Sequence, residues 1–177
     1  MIILITGASH IGKTLLAQRM LERHKFPYLS IDHLKMGLIR SGNTLLTPED
    51  DDALTDYLWP IIREIVKTAI ENEQSLIVEG CYIPPDWRQD FSERYLQSIR
   101  FICLGMTDVF IDTHFDDIKK HNNEIEKRLY DMDFSPDSLK EDNHRFINAF
   151  TRSGEQVTLI DSDFEETTRT ILEDVLY

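Results

Sequence analysis

The sequence predicts a single α/β domain, residues 1–177, with a parallel β-sheet covered by helices on both faces. Five short apolar runs recur along the 177 residues. Several of them are continuous rather than alternating, which is typical of strands that are buried on both faces. Segments with helical periodicity separate these runs, and strands that alternate with helices form parallel sheets with right-handed crossovers. No linker, repeat or low-complexity tract divides the chain.

The predicted strands have the length of buried strands and are bounded by polar or turn-forming residues. They are Ile2–Thr6, Tyr28–Ile31, Ser75–Glu79, Ile99–Leu104 and Val157–Ile160.

The first two predicted helices follow the first and second strands. Lys13–His24 places four apolar residues on one side, as expected of a helix that covers a sheet. Thr47, Pro48, Glu49 and Asp50 form a start signal, because they combine an N-cap, a proline at the first helical position and acids in the first turn. The helix that they open is expected to run towards Asn72, with Pro60 as a kink or a break.

Two further helices are predicted in the second half of the chain. Ser135-Pro136-Asp137 repeats the start signal and opens a helix that Gly154 would close. The last helix is expected to run from about Glu165 to Tyr177.

Composition excludes several classes of protein. The net charge of −13 predicts no nucleic-acid partner, because phosphate-backbone binding calls for a basic face. No apolar run approaches the roughly 20 residues that span a bilayer, so no membrane partner is expected. The start "MIILITG" has no basic n-region, and Cys81 and Cys103 match no zinc or C-x-x-C pattern. These features predict a cytoplasmic protein in which Cys103 is a buried, reduced thiol. The oligomeric state stays open.

The stretch "GASHIGKT" directly follows the first strand. It matches G-x-x-x-x-G-K-[ST], a loop whose backbone N–H groups surround nucleotide phosphates. A strand, a glycine-rich loop and a helix N-terminus together direct N–H groups and the positive end of a helix dipole at an anion. The side chain of Lys13 would reach the β- and γ-phosphates, and the Thr14 hydroxyl would be a ligand of Mg²⁺. The predicted ATP-binding residues are Gly7, Ala8, Ser9, His10, Ile11, Gly12, Lys13 and Thr14.

This loop, taken with "YLSIDHLKMGLIRSG" and "LIVEGCYIPPDW", resembles the small P-loop kinases, which include adenylate kinase, shikimate kinase, chloramphenicol phosphotransferase and zeta toxins. Within that group the two stretches look most similar to proteins described as 2-phosphoglycerate kinase-like or adenylate kinase-like. The resemblance covers essentially the whole chain. It implies a three-layer P-loop NTPase fold with strand order 2-3-1-4-5 and a helical lid. It also implies ATP as co-substrate, Mg²⁺, and an acceptor bound above the carboxyl ends of the strands.

Two residues after the second strand are candidates for the acceptor site. Asp32 is predicted to end that strand, where a carboxylate takes the acceptor's proton or holds a water on Mg²⁺. The alternative is that it caps the next helix. Arg40 matches the acceptor-binding arginine of these kinases, and a guanidinium there would bind a phosphate or carboxylate. The alternative is a surface arginine at a helix end. We interpret His33 and Lys35 as solvated or packing residues.

The end of the third strand supplies the remaining acceptor candidates. Glu79 lies where the resemblance places an acidic residue near the metal or the acceptor. It would contact Mg²⁺ through water or, alternatively, make a structural hydrogen bond. The following stretch "CYIPPDWRQDF" is rich in proline and aromatic residues, as an acceptor-enclosing loop would be. Tyr82 and Arg88 are acceptor-binding candidates there, with packing as the alternative.

The lid is the weakest part of the resemblance. The region from about Thr113 to Met132 looks helical and mostly acidic, and it lacks the paired arginines of adenylate kinases. Arg128 is the catalytic lid candidate, because an arginine there would neutralise charge that develops on the transferred phosphoryl group. Arg145 is a second candidate, and a solvent-facing salt bridge is the alternative for Arg128.

The function predicted from these residues is transfer of the γ-phosphoryl group of ATP to a small-molecule acceptor. A hydroxyl acceptor is favoured, because an alcohol benefits from Asp32 as a base, whereas a monophosphate is already anionic. A nucleoside monophosphate kinase of the adenylate kinase type is the alternative. A non-catalytic ATP-binding regulator is a third possibility. A GTP-dependent switch is disfavoured, since no D-x-x-G or N-K-x-D guanine signature is present.

Overall fold

A computed structural model describes residues 1–121 and 134–175. Within them, five parallel strands form one sheet in the order β2-β3-β1-β4-β5, as the sequence resemblance implies. β1 is the central strand and pairs with β3 on one side and β4 on the other. The strands are β1 (Ile2–Gly7), β2 (Tyr28–Ser30), β3 (Leu76–Glu79), β4 (Ile99–Met106) and β5 (Val157–Ile160).

Helices connect the strands and cover the sheet. Those of the described residues are α1 (Lys13–His24), α2 (Ile31–Arg40), α3 (Asp51–Glu71), α4 (Glu93–Leu96), α5 (Asp108–His121), α6 (Pro136–Arg152) and α7 (Phe164–Asp174). A short 3₁₀ helix covers Trp87–Asp90. None of the helices in this part of the chain combines the length and apolar character needed to cross a bilayer.

Two apolar cores, one on each face of the sheet, hold the three layers together. Along β1 the side chains alternate, so Ile2 and Leu4 pack into one core and Ile3 and Ile5 into the other. The first core also contains residues of α3 and both tryptophans, and the second contains residues of α1, α5 and α7. Both faces of the sheet are therefore buried, as the continuous apolar runs predict.

The start of α3 differs from the prediction. Thr47 does not cap the helix, because its N–H and hydroxyl both donate to the Asp50 carboxylate, at 2.7 and 2.9 Å, and close a turn ahead of it. These hydrogen bonds hold the pKa of Asp50 below its usual value. The helix begins at Asp51 and continues through Pro60, so of the two predicted effects of this proline, a kink or a break, the break is wrong. Pro60 lies on the exposed side, where one lost backbone hydrogen bond is tolerated.

The second strand is also shorter than predicted. β2 ends at Ser30, and Asp32 lies in the first turn of α2 rather than in the strand. The carboxylate therefore sits beside the N-terminus of a helix at the carboxyl edge of the sheet. The capping signal at Ser135 is confirmed, since its side chain accepts a hydrogen bond from the Ser138 N–H at the start of α6.

Candidate active site

The loop between β1 and α1 is shaped by two glycines. Gly7 has φ +151°, and a Cβ on it would lie 2.7 Å from the Leu104 carbonyl oxygen, so only glycine lets β1 approach β4 there. Gly12 has φ +88°, and a Cβ on it would lie 2.5 Å from the Phe164 ring. The backbone between them folds back over the sheet with Ala8 and Ile11 buried. Both glycines of the motif therefore have a steric reason to be glycine.

The N-terminus of α1 has the features of an anion site. Gly12 precedes α1, so no side chain caps the helix, and its first turn carries no acid. The first amides of such a helix have no partner within the helix. The Lys13 ammonium is buried and donates to the Ala8 carbonyl at 2.7 Å, so the lysine lies against its own loop. Thr14, one residue on, is partly exposed.

A second group of charged side chains lies at the start of α2. The Lys35 ammonium donates to the Asp32 carboxylate at 2.6 Å and to the Tyr82 hydroxyl at 2.9 Å. The Tyr82 hydroxyl in turn donates to Asp51 at 3.1 Å, at the start of α3. Burial raises the pKa of the Tyr82 phenol, and the thiol of Cys81 and the two aspartates add to the shift, so the phenol remains a donor. These hydrogen bonds connect α2 and α3 to the residues that follow β3.

Glu79 and Gly80 end β3 between these two groups. Glu79 is 1% exposed. The Thr6 hydroxyl donates to the Gly80 carbonyl at 2.9 Å, which joins the ends of β1 and β3. A Cβ on Gly80 would lie 2.8 Å from the Ile31 side chain, so glycine allows α2 to pack closely against the strand end.

The neighbouring Cys81 shows that the loop lysine and the α2 group share one region. Burial raises the pKa of its thiol. The charge on Lys13 opposes that shift and the charge on Asp32 adds to it, with smaller effects from Asp51 and Lys35. The carboxyl edge of the sheet thus brings the phosphate loop and Asp32 around the partly buried thiol of Cys81, as expected for ligand sites in parallel α/β sheets.

Two predicted arginines lie in different surroundings. Arg40 is exposed at the end of α2, and it makes no hydrogen bond or ion pair with the residues that the structure describes. Arg88 binds the Glu155 carboxylate through two hydrogen bonds of 2.5 and 3.0 Å and lies over the Trp87 ring. Glu155 precedes β5, at the amino edge of the sheet. Arg88 is therefore held on the side away from the phosphate loop, and we leave it out of the proposed acceptor site.

The predicted lid is only partly described. Its beginning, from Thr113, belongs to α5, in which the backbone departs from helical angles at His114. Arg128 lies outside the described residues. The second candidate, Arg145, is exposed on α6 and pairs with Asp142 at 2.9 Å in the same helix.

The metal-binding candidates suit Mg²⁺ by their chemistry. Thr14, Asp32 and Glu79 all offer oxygen atoms, the ligands that Mg²⁺ prefers. Across residues 1–121 and 134–175, no group of three or more His, Cys, Asp or Glu side chains is arranged to hold a metal ion.

Sequence reasoning missed two side chains of this region. Lys35 was interpreted as a solvated or packing residue, although its ammonium joins Asp32 to Tyr82. His10 was expected to contribute through its backbone, yet its ring stacks on Phe134. The i, i+3 spacing of Asp32 and Lys35 could have indicated their ion pair. The contacts with Tyr82 and Phe134 span many residues and have no local signal.

Comparison with solved structures identifies the fold. A shikimate kinase from Bacteroides thetaiotaomicron matches with a TM-score of 0.61 and 15% identity, over 99% of this chain and 98% of that chain. A sugar kinase from Janibacter sp. matches with a TM-score of 0.55 and 17% identity, over 98% and 93% of the two chains. The fold is that of the P-loop kinases. A shikimate kinase from Aquifex aeolicus matches with a TM-score of 0.54 and 12% identity, over 99% and 96% of the two chains. No protein-family model matches the sequence, and no curated protein matches it either.

Proposed function

We propose that the protein is an ATP-dependent phosphotransferase that moves the γ-phosphoryl group of ATP to a hydroxyl of a small molecule. The phosphate loop carries this proposal. It places a glycine-shaped turn, a buried lysine and the uncapped start of α1 at the carboxyl edge of a parallel sheet. That combination binds the phosphates of a nucleoside triphosphate.

The residues of the loop have distinct roles in this proposal. The amides of residues 8–14 and the Lys13 ammonium hold the β- and γ-phosphates. The ammonium has three N–H donors, and the Ala8 carbonyl accepts from one of them. The Thr14 hydroxyl is the protein ligand for Mg²⁺, with Glu79 and Asp32 able to contact the hydrated ion. When bound, the metal neutralises charge on the β- and γ-phosphates.

Asp32 is the proposed base. The acceptor oxygen forms a bond to the γ-phosphorus as the bond from that phosphorus to the β–γ bridging oxygen breaks. ADP leaves, and the acceptor's hydroxyl proton passes to the Asp32 carboxylate. Lys35 orients the base, because its ammonium donates a hydrogen bond of 2.6 Å to the Asp32 carboxylate.

The acceptor is proposed to lie between α2 and the end of β3. The exposed guanidinium of Arg40 would bind an anionic group on it, and Glu79 and the Tyr82 hydroxyl border the same region. Two of the similar structures are named as a shikimate kinase and a sugar kinase, and both names denote acceptors that carry hydroxyl groups. The free thiols of Cys81 and Cys103 suit a reducing compartment such as the cytoplasm.

The test is ATP binding and transfer by the full chain. Calorimetry should detect ATP binding in the presence of Mg²⁺, and incubation with a panel of hydroxyl-bearing and monophosphate metabolites should convert ATP to ADP with one acceptor class. Lys13→Ala should abolish both while far-UV circular dichroism stays unchanged. Lys67→Ala, which removes a lysine of α3 that pairs with Glu64 and lies over the Phe91 ring, is the control. Equal ATP affinity in folded Lys13→Ala protein and wild type would refute the proposal.

A further inference from the structure

The apex of the phosphate loop has an unusual backbone. His10 adopts φ +64°, in the left-handed region, where a side chain other than glycine is disfavoured because Cβ crowds the following carbonyl. Asparagine or glycine would take this conformation with less strain. Strain of this kind persists only where surrounding contacts impose it, and it concentrates at functional sites.

One contact of the His10 side chain is an aromatic stack. Its imidazole lies flat on the Phe134 ring, with centroids 4.1 Å apart and an angle of 5° between the planes. Phe134 meets the Phe115 ring edge-on, with centroids 5.4 Å apart. Both phenylalanines pack against the core that contains Ile11, the residue next to His10 in the loop. The loop apex is therefore held from both sides, by buried Ile11 and by the aromatic column of His10, Phe134 and Phe115.

We propose that His10 is a positioning residue for nucleotide phosphates. Its stack on Phe134 fixes the loop in the left-handed conformation before the nucleotide arrives, so binding loses less conformational entropy. The column also connects the loop to α5, which carries Phe115, and to the residues that enter α6, which follow Phe134. This inference rests on the proposed function, because it concerns the same phosphate loop.

The proposal predicts that changes of the His10 side chain weaken phosphate binding, although the backbone N–H groups of the loop are still present. His10→Gly relieves the backbone strain but removes the stack, and His10→Asn keeps a left-handed preference without an aromatic ring. Both should weaken binding of ATP and of inorganic triphosphate by the same factor of about tenfold. The KM for ATP should rise by a larger factor than the turnover rate falls, because the defect lies in binding the phosphates. His10→Phe, which keeps a ring in place, should restore the affinity.

The partner ring provides an independent test. Phe134→Ala leaves the loop sequence intact. It should weaken the binding of ATP and of inorganic triphosphate about as much as His10→Gly does. The double variant should be no worse than either single one, since both remove the same contact. Phe26→Ala is the matched control, because Phe26 is likewise partly buried on this core and contacts a histidine ring, that of His24. It follows the far end of α1, about 16 Å from the loop at 1.5 Å per helical residue.

The outcomes separate this inference from the proposed function. If wild type binds neither ATP nor inorganic triphosphate by calorimetry with Mg²⁺ present, both proposals fail. If wild type binds and the His10→Gly and His10→Asn variants bind within about twofold of it, the proposed function stands and the role of His10 is refuted. Equal weakening by Phe26→Ala and Phe134→Ala would also refute it, because the effect would then come from core packing in general.

Discussion

A single substitution can test the role of Asp32 as a base without removing its hydrogen bond with Lys35. Asp32→Asn keeps the size of the side chain and an oxygen that accepts the hydrogen bond from Lys35, but it removes the group that takes a proton. The rate of phosphoryl transfer should fall by roughly 10²–10⁴ if the carboxylate is the base. ATP affinity should change little. Steady-state kinetics and calorimetry measure the two quantities, and near-normal turnover would leave Asp32 with a purely structural role.

The two cysteines allow a prediction about pH and reactivity. Burial raises the pKa of Cys103 to about 12 and also raises that of Cys81. A raised thiol pKa means that the thiolate, which is the nucleophile, is scarce in the folded protein at pH 8. Cys103, which is buried, should not react with a disulfide reagent at pH 8 until denaturant is added, whereas the partly exposed Cys81 should react in the native protein, more slowly than a free thiol. Rapid labelling of Cys103 in native protein, measured by mass spectrometry, would contradict its burial.

Sequence patterns predicted the elements better than their ends. The continuous apolar runs located all five strands, and the periodicity of residues 13–24 gave the bounds of α1 as observed. The start signal at Thr47 failed because the same residue types also build a turn, and here Asp50 receives hydrogen bonds from Thr47. Asp32 was placed in a strand because apolar Ile31 extends the run of β2, although the backbone turns into α2 after Ser30.

The site was predictable to the extent that its chemistry is local in sequence. The phosphate loop is eight consecutive residues, so its pattern was visible at once. The ring of Phe134 and the hydroxyl of Tyr82 meet the site from distant parts of the chain, and only folding brings them to His10 and Lys35. The ion pair of Arg88 had no local signal either, because its partner Glu155 lies 67 residues further along the chain.

The packing of α2 against β3 gives a prediction for a whole element. Gly80→Ala places a methyl group 2.8 Å from the Ile31 side chain, so α2 must shift away from the strand end and carry Asp32 with it. We expect a destabilisation of about 1–3 kcal/mol and slower transfer, with little loss of ATP affinity. Denaturant unfolding and kinetics measure these effects.

Gly37→Ala is the control for this change within the same helix. Gly37 lies in α2, and a methyl group on it would contact nothing within 4 Å. Alanine should therefore stabilise the helix by about 0.5–1 kcal/mol and leave transfer unchanged. If Gly80→Ala protein transfers phosphate as fast as Gly37→Ala protein, the position of α2 does not depend on close packing at Gly80.

At the scale of the whole molecule, the sheet and α6 join the two apolar cores, since α6 places Leu139 in one core and Phe150 in the other. β1 contributes alternate residues to each, so loss of packing on one face removes support from strands that the other face needs. Single domains of up to about 150 residues usually unfold in one cooperative step, and this domain is only slightly longer. Unfolding of the two faces should therefore be coupled, even though their side chains do not share a core.

The tryptophans make this coupling measurable. Both of them, Trp59 and Trp87, lie in the core that contains α3, so fluorescence reports on that face, whereas far-UV circular dichroism reports on the helices of both faces. Met20→Ala in α1 removes a buried side chain from the opposite core and should lower the free energy of unfolding by about 2–5 kcal/mol. If the domain is one cooperative unit, this change should shift the fluorescence and dichroism midpoints equally, although no tryptophan contacts that core. Leu58→Ala, in the core of the tryptophans, should shift both probes in the same way. A dichroism midpoint that falls in Met20→Ala protein while the fluorescence midpoint stays at the wild-type value would show that the two faces unfold separately.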